Sequence, residues 1–173
     1  MAALLKGEFK DKVNFKIIDC RYPYEYEGGH IHDAVNWHHP QMVLDHLNSV
    51  QGNPKIPKKE DMHEVLIFHC EFSAERGPKA QRLLRDQDRT ASCDYYPALY
   101  FPEVYLLEGG YKSFYESYPE LCTPKSYVRM LEPEHVGDLK HFRAKSKSWV
   151  LDNKQTKSFR NLHHRKGSKR LGL

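Results

Sequence analysis

Short runs of consecutive apolar residues alternate along this chain with stretches in which apolar positions recur every three or four residues. Phe15-Lys16-Ile17-Ile18-Asp19-Cys20, Val65-Leu66-Ile67-Phe68 and Val104-Tyr105-Leu106-Leu107 read as strands, and Ala34-Val35-Asn36 as a further short one. Gln41 to Leu47 predicts a helix with Val43, Leu44 and Leu47 inward. Lys79 to Arg89 predicts a second, with Ala80, Leu83, Leu84 and Gln87 on one face and Lys79, Arg82, Arg85, Asp86 and Arg89 elsewhere. Gly109-Gly110 leads into a third near Lys112 to Tyr118, and Tyr22 to Glu27 is a short helix or a loop. Gly52 to Lys59, with Pro54 and Pro57, and Ser92 to Tyr100, with Pro97, read as connections. Strands alternating with helices predict an α/β domain with a mainly parallel sheet. In such sheets the functional residues lie off the carboxyl ends of the strands, and Cys20 and Cys70 both sit at such ends.

The chemistry concentrates in His69-Cys70-Glu71-Phe72-Ser73-Ala74-Glu75-Arg76-Gly77-Pro78, between a predicted strand and a predicted helix. A thiolate is the nucleophilic form of cysteine. The unpaired N–H groups and dipole of a helix's first turn favour negative charge, so a cysteine facing them should have its pKa lowered. The same N–H groups can cradle the oxygens of a phosphoryl group. Arg76 adds a planar fork that takes two phosphate oxygens and offsets charge in the transition state. Gly77 allows close backbone approach, and Pro78 is expected at the first helical position, where its missing N–H is no loss. A buried strand-end cysteine beside an unrelated surface arginine is the plain structural alternative.

These ten residues resemble the signature of the M-phase inducer phosphatases, the dual-specificity phosphatases that activate cyclin-dependent kinases. Ile17-Ile18-Asp19-Cys20-Arg21-Tyr22-Pro23-Tyr24-Glu25-Tyr26-Glu27-Gly28-Gly29-His30-Ile31 is similar to the family's first motif, and Tyr105-Leu106-Leu107-Glu108-Gly109-Gly110-Tyr111-Lys112-Ser113-Phe114 to its third. The likeness runs collinearly from Leu4 to Trp149. It implies a rhodanese-like fold, a parallel sheet with helices on both faces. It also implies removal of phosphate from adjacent phosphothreonine and phosphotyrosine of a cyclin-dependent kinase–cyclin complex, by way of a phosphocysteine. Ala74 stands where the family's serine is expected; a loop that binds phosphate through backbone N–H groups should tolerate it.

On this reading Cys70 is the nucleophile, residues Glu71, Phe72, Ser73, Ala74, Glu75 and Arg76 form the phosphate loop, and no metal or other cofactor is required. The leaving oxygen needs a proton, and no Trp-Pro-Asp motif is present to supply an aspartate. Glu75, slightly ahead of Glu71, is a candidate acid; the substrate or solvent is the third option, and either carboxylate could instead point outward and shape access. His69 is expected to fix the loop by hydrogen bonding. Cys20 is a small buried residue on its own evidence; the resemblance implies a redox partner that forms a disulfide with oxidised Cys70. It likewise implies that Arg85, Arg89 and Tyr96 dock the protein substrate, with Arg85 and Arg89 as a basic edge near the site.

At 173 residues, with 39% hydrophobic and 29% charged residues, the chain is expected to form a single soluble domain over residues 1–149. No apolar run approaches a membrane span and no signal peptide is evident. The four cysteines lack paired-ligand spacing and read as cytosolic or nuclear thiols. The eleven histidines include two adjacent pairs, His38-His39 and His163-His164, that do not make a metal site. Residues 150–173 form a basic tail, either solvated and flexible or a surface for an acidic partner, with a nuclear-import-like patch around His164 to Arg170. Aromatic residues are not interleaved there, which argues against nucleic acid. The expectation is a monomer of nucleus and cytoplasm, without membrane contact. Two other functions compete: a rhodanese-type sulfurtransferase, whose usual loop is one residue shorter than Cys70 to Arg76, and a phosphoprotein-binding module without turnover.

Overall fold

A computed structural model describes residues 1–50, 54–56 and 62–148. The predicted tail over 150–173 and most of the Gly52 to Lys59 loop lie outside the described residues. The strands are β1 (Val13–Asp19), β2 (His30–Ile31), β3 (Val35–Asn36), β4 (His63–His69), β5 (Glu103–Leu106) and β6 (Cys122–Thr123). The helices are α1 (Ala2–Leu5), α2 (Pro23–Glu27), α3 (Pro40–Ser49), α4 (Arg76–Ala91), α5 (Gly110–Ser117) and α6 (136–148).

Four strands form one sheet in the order β3-β1-β4-β5, every neighbouring pair parallel. β2 and β6 make a separate antiparallel pair. The period of two along β1 and β4 sorts the core into two layers. Ile18, Cys20, Leu66, Phe68 and Cys70 pack with Val43 and Leu47 of α3 and Leu84 of α4. On the opposite face Ile17 packs with Tyr111 and Phe114 of α5, and with Ala2 and Leu5 of α1. Helices therefore cover both faces, the reason the central strands read as apolar runs.

Several details depart from the sequence pattern. Leu44 is only half-buried, and Val43 and Leu47 carry the inward face of α3. α4 starts at Arg76, so Pro78 is its third residue, not its first. The substitution costs nothing, because the third N–H of a helix also lacks an intrahelical acceptor. Residues 119–148, to which the pattern assigned no element, hold β6 and α6. α6 lays Leu139 and Phe142 against Tyr22 and Tyr24 of the α2 region. Tyr22 stacks on Phe142 with ring centroids 5.4 Å apart.

Candidate active site

β1 and β4 end side by side. Their register pairs Asp19 with His69, and the Cys20 N–H continues the ladder to the His69 carbonyl at 2.8 Å. Cys20 and Cys70, the next residues, thus leave neighbouring strands on the same face, both buried and both free thiols. Adjacent strands lie about 4.8 Å apart, inside the Cα separation a disulfide spans. Burial, with Asp19 and Cys70 beside it, pushes the Cys20 thiol well above its ordinary pKa, so it is held protonated.

Beyond Cys70 the chain turns through Glu71–Glu75 into α4. Ser73 takes a positive φ of 53° at the turn. The loop is pinned from outside by the start of α5: the Tyr111 N–H donates to the Cys70 carbonyl at 2.9 Å and the Lys112 N–H to the Glu71 carbonyl at 3.0 Å. That approach needs Gly110, whose φ is +64° and where a Cβ would lie 2.4 Å from the Cys70 oxygen. With these carbonyls tied back, the loop's N–H groups are left over. Among the described residues none of those from Glu71 to Glu75 donates to a backbone carbonyl. Left-over N–H groups leading into a sixteen-residue helix are an arrangement that can cradle an anion.

Arg76 is the first residue of α4, and its fork is already occupied. Nη1 and Nη2 both donate to the buried Glu25 carboxylate of α2, Nη2 to Oε1 at 2.9 Å. The guanidinium also lies 4.9 Å from the Tyr22 ring centroid. Glu25 is held in turn by the Tyr22 N–H at 2.9 Å. A proline followed two residues later by a glutamate was the only local sign of this role, since it marks the first turn of a helix.

Beneath the loop lies a second set of buried charges. Asp19 accepts from Arg21 through Nε and Nη2, and Arg21 Nη2 also donates to the Gly29 carbonyl at 2.7 Å. The Arg21 guanidinium sits 3.8 Å from the Tyr111 ring centroid. His69 is fully buried; burial lowers its pKa, and its Nε2 lies 3.8 Å from the Asp19 carboxylate without a hydrogen bond. Its Nδ1 contact to the Cys70 carbonyl is long, 3.4 Å. His69 is held by packing on Tyr111 as much as by its hydrogen bond to the loop.

The two loop carboxylates are placed very differently. Glu75 is 74% exposed and bonded to Lys79 at 2.6 Å, a contact that holds its pKa below the usual carboxylate range. Glu71 is buried; its Oε1 accepts from the Tyr127 hydroxyl at 2.6 Å and its Oε2 lies 4.0 Å from Arg76 Nη2. Phe72 is exposed at the tip and the small Ala74 is exposed beside it. Two of the three expected docking residues sit well along α4 from the loop. Arg85 and Arg89 lie about 13 and 20 Å along α4 from Arg76, at 1.5 Å per residue. Arg85 donates to the Phe101 and Pro102 carbonyls at 2.8 and 3.1 Å and is only 21% exposed. Arg89 is exposed, and Tyr96 is 89% exposed. No group of three His, Cys, Asp or Glu side chains among the described residues is arranged to hold a metal ion.

A parallel sheet covered on both faces, with a loop of uncommitted N–H groups between a central strand and a helix, is the architecture of a rhodanese-like domain. Residues 1–117 match the rhodanese-like domain family, and the chain belongs to it. Among its curated relatives are M-phase inducer phosphatases. The chain is 53% identical over 157 residues to the M-phase inducer phosphatase of Drosophila melanogaster, covering 88% of this chain and 33% of that protein. It is 51% identical over 156 residues to M-phase inducer phosphatase 3 of Xenopus laevis, covering 90% of this chain and 26% of the relative. The chain thus spans a quarter to a third of these relatives' length. A solved yeast protein tyrosine phosphatase of the rhodanese family is similar at 21% identity and a TM-score of 0.47, over 73% of this chain and 90% of that one.

Proposed function

We propose that this domain is a cysteine-dependent dual-specificity protein phosphatase acting on adjacent phosphothreonine and phosphotyrosine of a cyclin-dependent kinase–cyclin complex, and so promotes entry into mitosis or meiosis. The observation that carries the reading is the loop from Cys70 to Arg76, with its N–H groups uncommitted and its carbonyls tied to α5. In the first step the Cys70 sulfur attacks phosphorus, the P–O bond to the protein hydroxyl breaks, and a proton passes to the departing oxygen. In the second, water attacks the phosphocysteine, the S–P bond breaks and phosphate leaves. Loop N–H groups and Arg76 stabilise the equatorial oxygens throughout.

Arg76 must turn part of its fork from Glu25 to phosphate, and Glu25 keeps the guanidinium over the loop until then. Glu71 is the better-placed proton donor, because it is buried next to the loop, whereas Glu75 is tied to Lys79 in solvent. Arg89 and Tyr96 are free to meet a protein substrate, and Arg85 shares that edge while it holds the 101–102 backbone. Cys20 is the proposed resolving thiol for oxidised Cys70.

The test is turnover of a fluorogenic aryl phosphate by wild type and Cys70→Ser, with chelator present. Activity lost in the variant supports the reading. Absence of activity in the reduced, folded wild type would favour a sulfurtransferase or a binding module. Arg89→Leu is expected to slow dephosphorylation of the kinase complex and leave the aryl phosphate rate unchanged; equal loss on both would refute docking.

A further inference from the structure

Segment 126–131 is anchored to the site at three points. The Ser126 carbonyl accepts from the Tyr111 hydroxyl at 2.7 Å, and the Met130 carbonyl from Tyr24 at 2.6 Å. Gly29 lies against the segment so closely that a Cβ there would sit 1.9 Å from the Ser126 oxygen. Between these anchors the Tyr127 ring packs edge-on against Tyr111, with centroids 5.8 Å apart. Its hydroxyl reaches Glu71 Oε1 at 2.6 Å.

Tyr127 differs from its neighbours in what it binds. Tyr24, Tyr26, Tyr111 and Tyr115 all donate to backbone carbonyls and so tether chain to chain. Tyr127 alone among these five donates to a side chain of the phosphate loop. A hydroxyl donating to one carboxyl oxygen is short and directional, and it becomes charge-assisted, about twice as strong as a neutral pair, once Glu71 has given up its proton. Occupying Oε1 leaves Oε2 as the oxygen that carries a proton, and Oε2 is the one beside Arg76.

We propose that Tyr127 is a positioning residue that fixes the Glu71 carboxyl so that its proton is carried on Oε2, facing the phosphate loop. This inference rests on the phosphatase reading with Glu71 as proton donor. A misoriented donor matters most when the leaving oxygen is basic. Tyr127→Phe is therefore expected to lower kcat about tenfold on an alkyl or phenyl phosphate, part of the 10²–10⁴ that general acids supply, and little on an activated aryl phosphate.

The deciding experiment is a double-mutant cycle with Glu71→Gln, read on phenyl phosphate and on an activated aryl phosphate. Tyr127→Phe should add no further loss in the Glu71→Gln background. Tyr115→Phe, which removes a hydroxyl from the same aromatic cluster, should leave kcat unchanged on both phosphates. Losses that multiply, or an equal loss on both phosphates, would overturn the inference while leaving the phosphatase reading intact. Absence of any Cys70-dependent turnover in wild type would overturn both. Tyr127→Leu completes the same cycle if the phenylalanine variant does not fold.

Discussion

Arg76 and Glu25 face each other across the gap between α4 and α2, the guanidinium fork closed on a carboxylate with no solvent exposure, while Arg76 itself remains 18% exposed. A buried carboxylate left without its partner is costly, and so is a buried guanidinium. Here the same pair also fixes the arginine at the end of the Cys70 loop, so on the proposed function stability and catalysis share one contact.

Glu25→Ala is expected to destabilise the fold by about 3 kcal/mol, the low end for breaking a buried pair, because Arg76 keeps some solvent. With the fork no longer aimed, kcat on an aryl phosphate should fall by up to about 100-fold. Glu25→Gln, which keeps an acceptor, should lie between. Urea denaturation and steady-state kinetics on the same samples check this; an unchanged unfolding midpoint for Glu25→Ala would contradict it.

Mild peroxide should link Cys20 to Cys70 with the loss of two hydrogens and reversible inactivation. Cys70 is oxidised first to the sulfenic acid, and Cys20 then displaces water. In Cys20→Ser the same treatment should drive Cys70 to the sulfinic acid and inactivation that thiols do not reverse. Intact mass and peptide mapping distinguish the two. A stable sulfinic acid at Cys70 of the wild type, with Cys20 free, would rule the pairing out.

Asp88 is fully buried on α4 and accepts from the Tyr100 and Phe101 N–H groups, each at 2.9 Å, and from Ser92 Oγ at 3.1 Å. Asp88→Ala strands two backbone donors, at about 1–3 kcal/mol each, so a loss of about 2–6 kcal/mol is expected. Asp88 lies about 18 Å along α4 from Arg76, and aryl phosphate turnover below the melting range should be preserved. A thermal melt beside a rate measurement decides it.

Acid should destabilise this fold in two stages. Burial depresses the pKa of His69 below the ordinary 6.5, so the unfolded chain binds a proton that the folded one does not. The His69 contribution is complete above about pH 6.5 and falls as pH drops toward the folded value, by at most about 1.4 kcal/mol per pH unit. His38, His39 and His46 are depressed in the same sense, again mainly by burial. Asp19 is lowered from 3.8 by His69 and Arg21 against its own burial, and its contribution is lost only as pH falls through that lowered value. Urea midpoints between pH 7.5 and 4.5 should decline, and less steeply in His69→Phe. An equal slope in both would exclude His69 as a source.

The strands β1, β4 and β5, the helices α3 and α4 and the loop with Cys70 and Arg76 are all legible in the chain itself. Each is specified locally: an apolar run, a helical period, or a loop whose chemistry lies in one contiguous decapeptide. Sequence alone also places Cys20 and Cys70 at strand ends, but only the parallel register of β1 and β4 sets them side by side. Glu25, Asp88 and Tyr127 carry no comparable local mark. Glu25 is 51 residues from Arg76, and Tyr127 is 56 from Glu71. Their roles come from which elements the fold packs together. The same holds for the two loop carboxylates, four residues apart in sequence and chemically alike. Tertiary packing buries Glu71 under Tyr127, because α5 and segment 126–131 reach that end of the loop, whereas Glu75 stays in water with its hydrogen bond to Lys79 of its own helix.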